Sequence, residues 1–155
     1  MKPLKQRNVS FIRIILMIAI FVEILGCSLK NSISIYLPQD IEEYRHKAAL
    51  SVQEGNVFHL SDFSLIAESI TIPKTGQYTA VIEATTAALL NVSLQGTVCY
   101  FLLENRVAYV VLKMDEGGWS GVMAAKASVR PLVTYNLLQF EEIDEVRFGY
   151  PMRTR

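Results

Sequence analysis

The chain has 155 residues, 51% of them hydrophobic and 19% charged, with 15 cations balanced by 15 acids. A neutral chain without a clustered basic face offers no electrostatic footprint for nucleic acid. Zinc sites take three or four ligands, usually Cys or His, and the two cysteines and two histidines here stand singly along the chain, so no metal and no cofactor is expected.

The chain starts with Lys2, Lys5, Arg7 and Arg13 and has no acid before Glu23. Cations ahead of an apolar run hold that end on the cytoplasmic side of a membrane. The uncharged run Ile14–Val22 is nine residues long. At about 1.5 Å per residue it covers well under half of a ~30 Å hydrocarbon core. Signal-peptide cores run about 7–15 residues, so a cleaved signal fits better than a span. Glu23 also disfavours a stable span, because an acid deep in a bilayer costs a few kcal/mol.

The run ends in "ILGC", Ile24 to Cys27. This tetrapeptide resembles the lipobox of bacterial lipoproteins: an aliphatic residue, a free position, a small residue, then Cys. The resemblance implies cleavage before Cys27, a diacylglyceryl group on its sulfur and often an acyl chain such as palmitate on its new amino terminus. It covers only the first 27 residues. Two or three chains anchor stably at about 0.8 kcal/mol per buried methylene, so such an anchor makes a spanning helix unnecessary. In a Gram-negative host, Ser28 after the Cys resembles lipoproteins sorted to the outer membrane. An uncleaved anchor and ordinary secretion are the alternatives. Residues 1–26 are thus a signal peptide, 27–32 a short tether, 33–150 one domain and 151–155 a tail. The leader takes four of the 15 cations and one of the 15 acids, leaving 11 against 14.

In chain order, "ISIYL" (33–37) alternates as a first strand. "PQDIEEYRHKAALSVQEGN" reads as a helix, with Pro38 at its start, acids in its first turn and Gly55 at its end. Ile41, Tyr44, Ala48 and Val52 make its apolar stripe, leaving Glu42, Glu43, Arg45 and Lys47 wet. "FSLIAESITI" and "QYTAVIEAT" alternate as strands, parted by the turn "PKTG". "GTVCYFLL" and "RVAYVVLKM" are two strands around the short loop "ENR". "PLVTYNLLQF" and "VRFGY" read as two more, and the Ala-rich "TTAALL" and "VMAAKASV" fit either a strand or a short helix. The expectation is an α+β fold: one N-terminal amphipathic helix packed on a mainly antiparallel, curved sheet of five to seven strands. Its element order is similar to that of cystatin- or NTF2-like folds, a likeness that carries no function.

Residues with chemistry to offer are few, and no catalytic set emerges. Cys99, inside an apolar strand, is expected as a small buried core residue. With Cys27 lipid-bearing it lacks a partner, and a Cys27–Cys99 disulfide is the alternative. His46 falls among charged helix residues and should be solvated. His59, three residues before Asp62, reads as a loop histidine and not as a ligand or base. Asp115 and Glu116 beside Trp119 invite a sugar-hydrolase reading. Neighbouring residues on a strand point to opposite faces, however, and carboxylate-pair catalysis needs both on one bond. The stretch reads instead as a polar turn with an anchoring or partner-facing Trp119, in which Asp115→Asn and Glu116→Gln should change little.

These features favour a lipid-anchored envelope protein, facing the periplasm or the exterior, that acts as a protein-interaction or scaffolding module and binds another envelope protein. It holds to the membrane through the lipid on Cys27. A carrier of an apolar ligand, with small Ala residues lining a helix–sheet cavity, is the second reading. A hydrolase of unknown substrate is the third. A cavity of several hundred Å³ lined by apolar groups would favour the carrier over the interaction module.

Overall fold

The computed structural model describes residues 30–73, 75–90, 93–117 and 121–152. Cys27, Trp119 and the leader lie outside the described residues. Chain order is β1 (Lys30–Pro38), α1 (Ile41–Glu54), β2 (Leu65–Pro73), α2 (Gln77–Leu89), β3 (Val98–Glu104), β4 (Val107–Leu112), α3 (Val122–Leu137) and β5 (Glu145–Phe148). The fold is α+β. Its strands form two sheets, β1–β2 and β3–β4–β5, where one was expected, and three helices are seen among the described residues in place of one.

β1 begins at Lys30, inside the stretch expected as tether, and pairs antiparallel with β2 from Lys30↔Pro73 to Pro38↔Leu65. Its free edge is closed by a side chain. Asn136 accepts from the Tyr36 N–H at 2.7 Å and donates to the Tyr36 carbonyl at 3.0 Å. Asn136 is 2% exposed and also donates to Thr85 Oγ1 at 3.1 Å, so one amide joins β1, α2 and α3.

α1 follows its sequence pattern closely. Asp40, and not Pro38, starts it: its carboxylate accepts from the Glu43 N–H at 2.8 Å. Gly55 ends it at φ 68°, a left-handed conformation that a Cβ would penalise. Tyr44 and Ala48 are fully buried, and Ser51 takes the inward place expected of Val52, which is 38% exposed.

Two segments read as strands are helical. "QYTAVIEAT" runs on through "TTAAL" as α2. Its short alternation is compatible with both periods, and burial falls on Val81, Ile82, Thr85, Thr86 and Leu89, one helical stripe. "VMAAKASV" and "PLVTYNL" fuse into α3 across Pro131. Proline normally breaks a helix. Here Ala125, Ser128, Val129, Leu132, Val133, Asn136 and Leu137 form an unbroken buried stripe on both sides of it, and that burial outweighs one missing backbone bond.

The β3–β4 hairpin turns at Asn105 and Arg106, with φ of 50° and 65°, the two-residue geometry suited to strand twist. Arg106 then clasps Asp144 through two nitrogens, one at 2.7 Å, while its carbonyl accepts from the Asp144 N–H at 2.8 Å. This delivers β5 to β4 in parallel register, where an antiparallel meander was expected. α3 is the central element, packed on α1 and α2 and touching β1 and β5. Ile35, Tyr44, Ile82, Leu112, Leu132 and Leu137 belong to a core shared by both sheets.

Candidate functional site

One cleft follows from helix placement. α1 and α3 cross where Tyr44 donates its hydroxyl to the Ser128 carbonyl at 2.6 Å. Burial pushes the Tyr44 hydroxyl pKa up, so it stays a donor throughout the physiological range. Beside that contact, small residues leave space between the helices unfilled. Ala49 of α1, Ala124 and Ala125 of α3 and Leu89 and Leu90 at the end of α2 line a cleft of about 510 Å³. Leu89 and Ala125 are buried and form the floor. Glu42, Arg45 and His46 form the rim, with Gly121 at the start of α3.

The rim charges are arranged locally. Arg45 donates to Glu42 at 3.1 Å, an i,i+3 pair whose arginine is 28% exposed and whose glutamate is 84% exposed. Arg45 is thus drier than the helical pattern implied, its stem lying along the apolar floor's edge. His46 is exposed, as its place in the sequence suggested.

The acidic pair singled out in the sequence is divided between separate partners. Asp115 accepts from the Leu112 N–H at 3.0 Å, from Arg130 at 2.7 Å and from Lys126 at 3.1 Å. Partial burial pushes its carboxyl pKa up, but these donors outweigh it and hold the group below the ordinary carboxylate range. Arg130 also stacks over Phe148, 5.1 Å from the ring centroid, so Asp115 ties the Lys113–Glu116 turn to α3 and Arg130 ties α3 to β5. Glu116 pairs with Lys113, which lowers its pKa. The expectation that Asp115→Asn would change little is therefore corrected: this carboxylate satisfies three donors, and its loss strands two cations.

His59 and Asp62 come together through the backbone, the Asp62 N–H donating to the His59 carbonyl at 3.4 Å in a 3-10 turn. Both line a cavity of about 250 Å³ with Lys47 and Phe63. Among the described residues no group of three or more His, Cys, Asp or Glu is placed to hold a metal. Cys99 is exposed, not buried. The β3–β4 register shifts between Val98 and Tyr100, and the bulge turns the intervening side chain out of the core.

Sequence reading did not locate the cleft. Its signal was the pair of Ala-rich segments, whose ambiguity hid that both are helical and face one another. No protein-family model, curated protein or solved structure matches this chain.

Proposed function

We propose that this protein is a lipid-anchored component of a bacterial envelope, tethered through Cys27, whose domain docks a protein partner in the cleft between α1, the end of α2 and the start of α3. The observation that carries the reading is the cleft's two-part character. Its floor of Leu89, Ala49, Ala124 and Ala125 suits an apolar side chain, and its rim of Glu42, Arg45 and His46 suits the polar backbone and charges around such a side chain. Interfaces of this kind combine an apolar centre with a polar rim.

A photo-reactive residue placed at His46 tests it in the protein's own cells, with the exposed Ser34 of β1 as control. A discrete protein adduct should form from His46 and not from Ser34, and should vanish when Ala124→Arg fills the cleft. Equal adducts from both positions, or an adduct indifferent to Ala124→Arg, would refute the cleft as the docking site.

The carrier reading is favoured by one observation, the cleft's volume, which falls in the ~300–1,000 Å³ range of small-ligand sites. It differs from the carrier expected from sequence in lying between helices, not between helix and sheet. Release of an apolar molecule on denaturing the purified protein would support it.

A further inference from the structure

We infer that the cleft opens at the pole of the domain that faces away from the anchoring membrane, where a protein segment standing in the envelope space reaches it and a lipid of that bilayer does not. The inference rests on the Cys27 tether proposed above.

The length of chain between tether and fold sets the geometry. Lys30, the first residue of β1, is three residues past Cys27. Three residues reach about 10 Å when fully extended. The Lys30↔Pro73 end of the β1–β2 sheet is therefore held close to the headgroups. From there β1 climbs six residues to Tyr36, about 20 Å at strand rise. α2 leaves the same end at Gly76, and its Thr85 is held at the level of Tyr36 through Asn136. Leu89 and Leu90, which line the cleft, lie a further turn along α2.

α3 runs the opposite way and agrees with this. Phe140, just past its end, packs edge-on against Tyr78 in the first turn of α2, with ring centroids 4.9 Å apart. Its start, Gly121 and Ala124, meets the end of α2 in the cleft. The cleft thus lies at least about 20 Å from Lys30, roughly twice the tether's reach.

For the cleft to touch lipid, the domain would have to lie on its side. Asp40, Glu42, Glu43 and Asp62 would then meet the headgroups; they outnumber Arg45 and Lys47, which pair with Glu42 and Glu43, so this face is net acidic and an anionic surface repels it. Glu141 and Glu142 are exposed beyond α3, on the side of Phe140 and Tyr78, and oppose the charge of Lys30, so the position of the near pole is set by the covalent tether.

The test uses the full chain with Cys99→Ser and one new cysteine, either Thr75→Cys at the near pole or His46→Cys on the cleft rim. Each is labelled with a fluorophore and reconstituted in phosphatidylglycerol-containing vesicles that carry a headgroup quencher. The Thr75 label should lose most of its emission and the His46 label almost none. A 20-residue Gly/Ser insertion after Ser28, with a root-mean-square reach of about 25 Å, should restore the Thr75 emission. Equal quenching at both sites, or quenching at Thr75 that the insertion leaves unchanged, would overturn the orientation. Mass spectrometry separates this from failure of the tether itself. A lipid-free Cys27 in a protein that leaves the membrane fraction overturns tether and orientation together, whereas a lipid-bearing Cys27 with a quenched His46 label overturns the orientation alone.

Discussion

The Asp115 cluster and the cleft share the first two turns of α3 and use charge in opposite ways. On one side of the helix, Lys126 and Arg130 converge on a single carboxylate that is only 12% exposed. On the other, Ala124 and Ala125 border the unfilled space, and the charges of α1 stand along its edge. Charges that satisfy one another hold elements together. The rim charges of α1 pair along their own helix, Arg45 with Glu42, and join no second element across the gap in that pair. One stretch of helix thus serves as joint on one side and as socket on the other, and substitutions should separate the two.

The largest effect is expected at Tyr44, which joins the walls of the cleft and packs edge-on against Phe58 and Phe63, at ring distances of 5.0 and 4.9 Å. Tyr44→Ala should cost about 3–5 kcal/mol in urea unfolding and close or distort the cleft. A loss under about 1 kcal/mol would mean that the α1–α3 crossing is not tied there.

Asp115→Asn comes next, at about 2–3 kcal/mol, because it leaves Lys126 and Arg130 without their counter-charge. Its pH dependence is fixed by the sign of the shift. A carboxyl whose folded pKa is depressed contributes stability that is present above its unfolded pKa and is lost as pH falls through the folded value. The gap in Tm between the parent and Asp115→Asn should therefore be full at pH 6 and narrow as pH falls below about 4. A gap independent of pH would assign the loss to shape and not to charge.

Gly96→Ala should cost about 1–3 kcal/mol, since a Cβ there would lie 2.4 Å from Thr86 Oγ1, a buried hydroxyl already bonded to the Gly96 carbonyl at 3.1 Å. The smallest stability effect belongs to the cleft. Ala124→Arg adds a good helix former beside open space and should change unfolding by no more than about 0.5 kcal/mol. It should nonetheless abolish partner crosslinking, and a large stability loss instead would show that the cleft is closed in solution.

How much of this was legible in the sequence depended on whether local chemistry and periodicity agreed. α1 carried an acid at its cap, acids in its first turn, a helical stripe and a terminal Gly, and each pointed the same way. The Asn105–Arg106 hairpin was readable for the same reason. α2 and α3 were misread because eight-residue windows rich in Ala and Thr fit both periods, and because Pro131 normally marks a boundary. What decided them was tertiary: the buried stripe of α2 against α3, β1 and β2, and that of α3 against α2 and α1. The second sheet was hidden too, since parallel pairing of β5 depends on Arg106 reaching Asp144 across 38 residues. The cleft was only half legible. Its small residues were visible in the sequence, but the facing of two helix ends that makes them a wall was not.

The central claim, that a protein segment fills the cleft, is tested most directly by native mass spectrometry of the full protein extracted gently from its own membranes. The account predicts the mass of the chain cut before Cys27 plus its lipid, together with a complex containing a second protein that Ala124→Arg eliminates. A small apolar adduct that Ala124→Arg eliminates, with no protein complex in the parent, would contradict it.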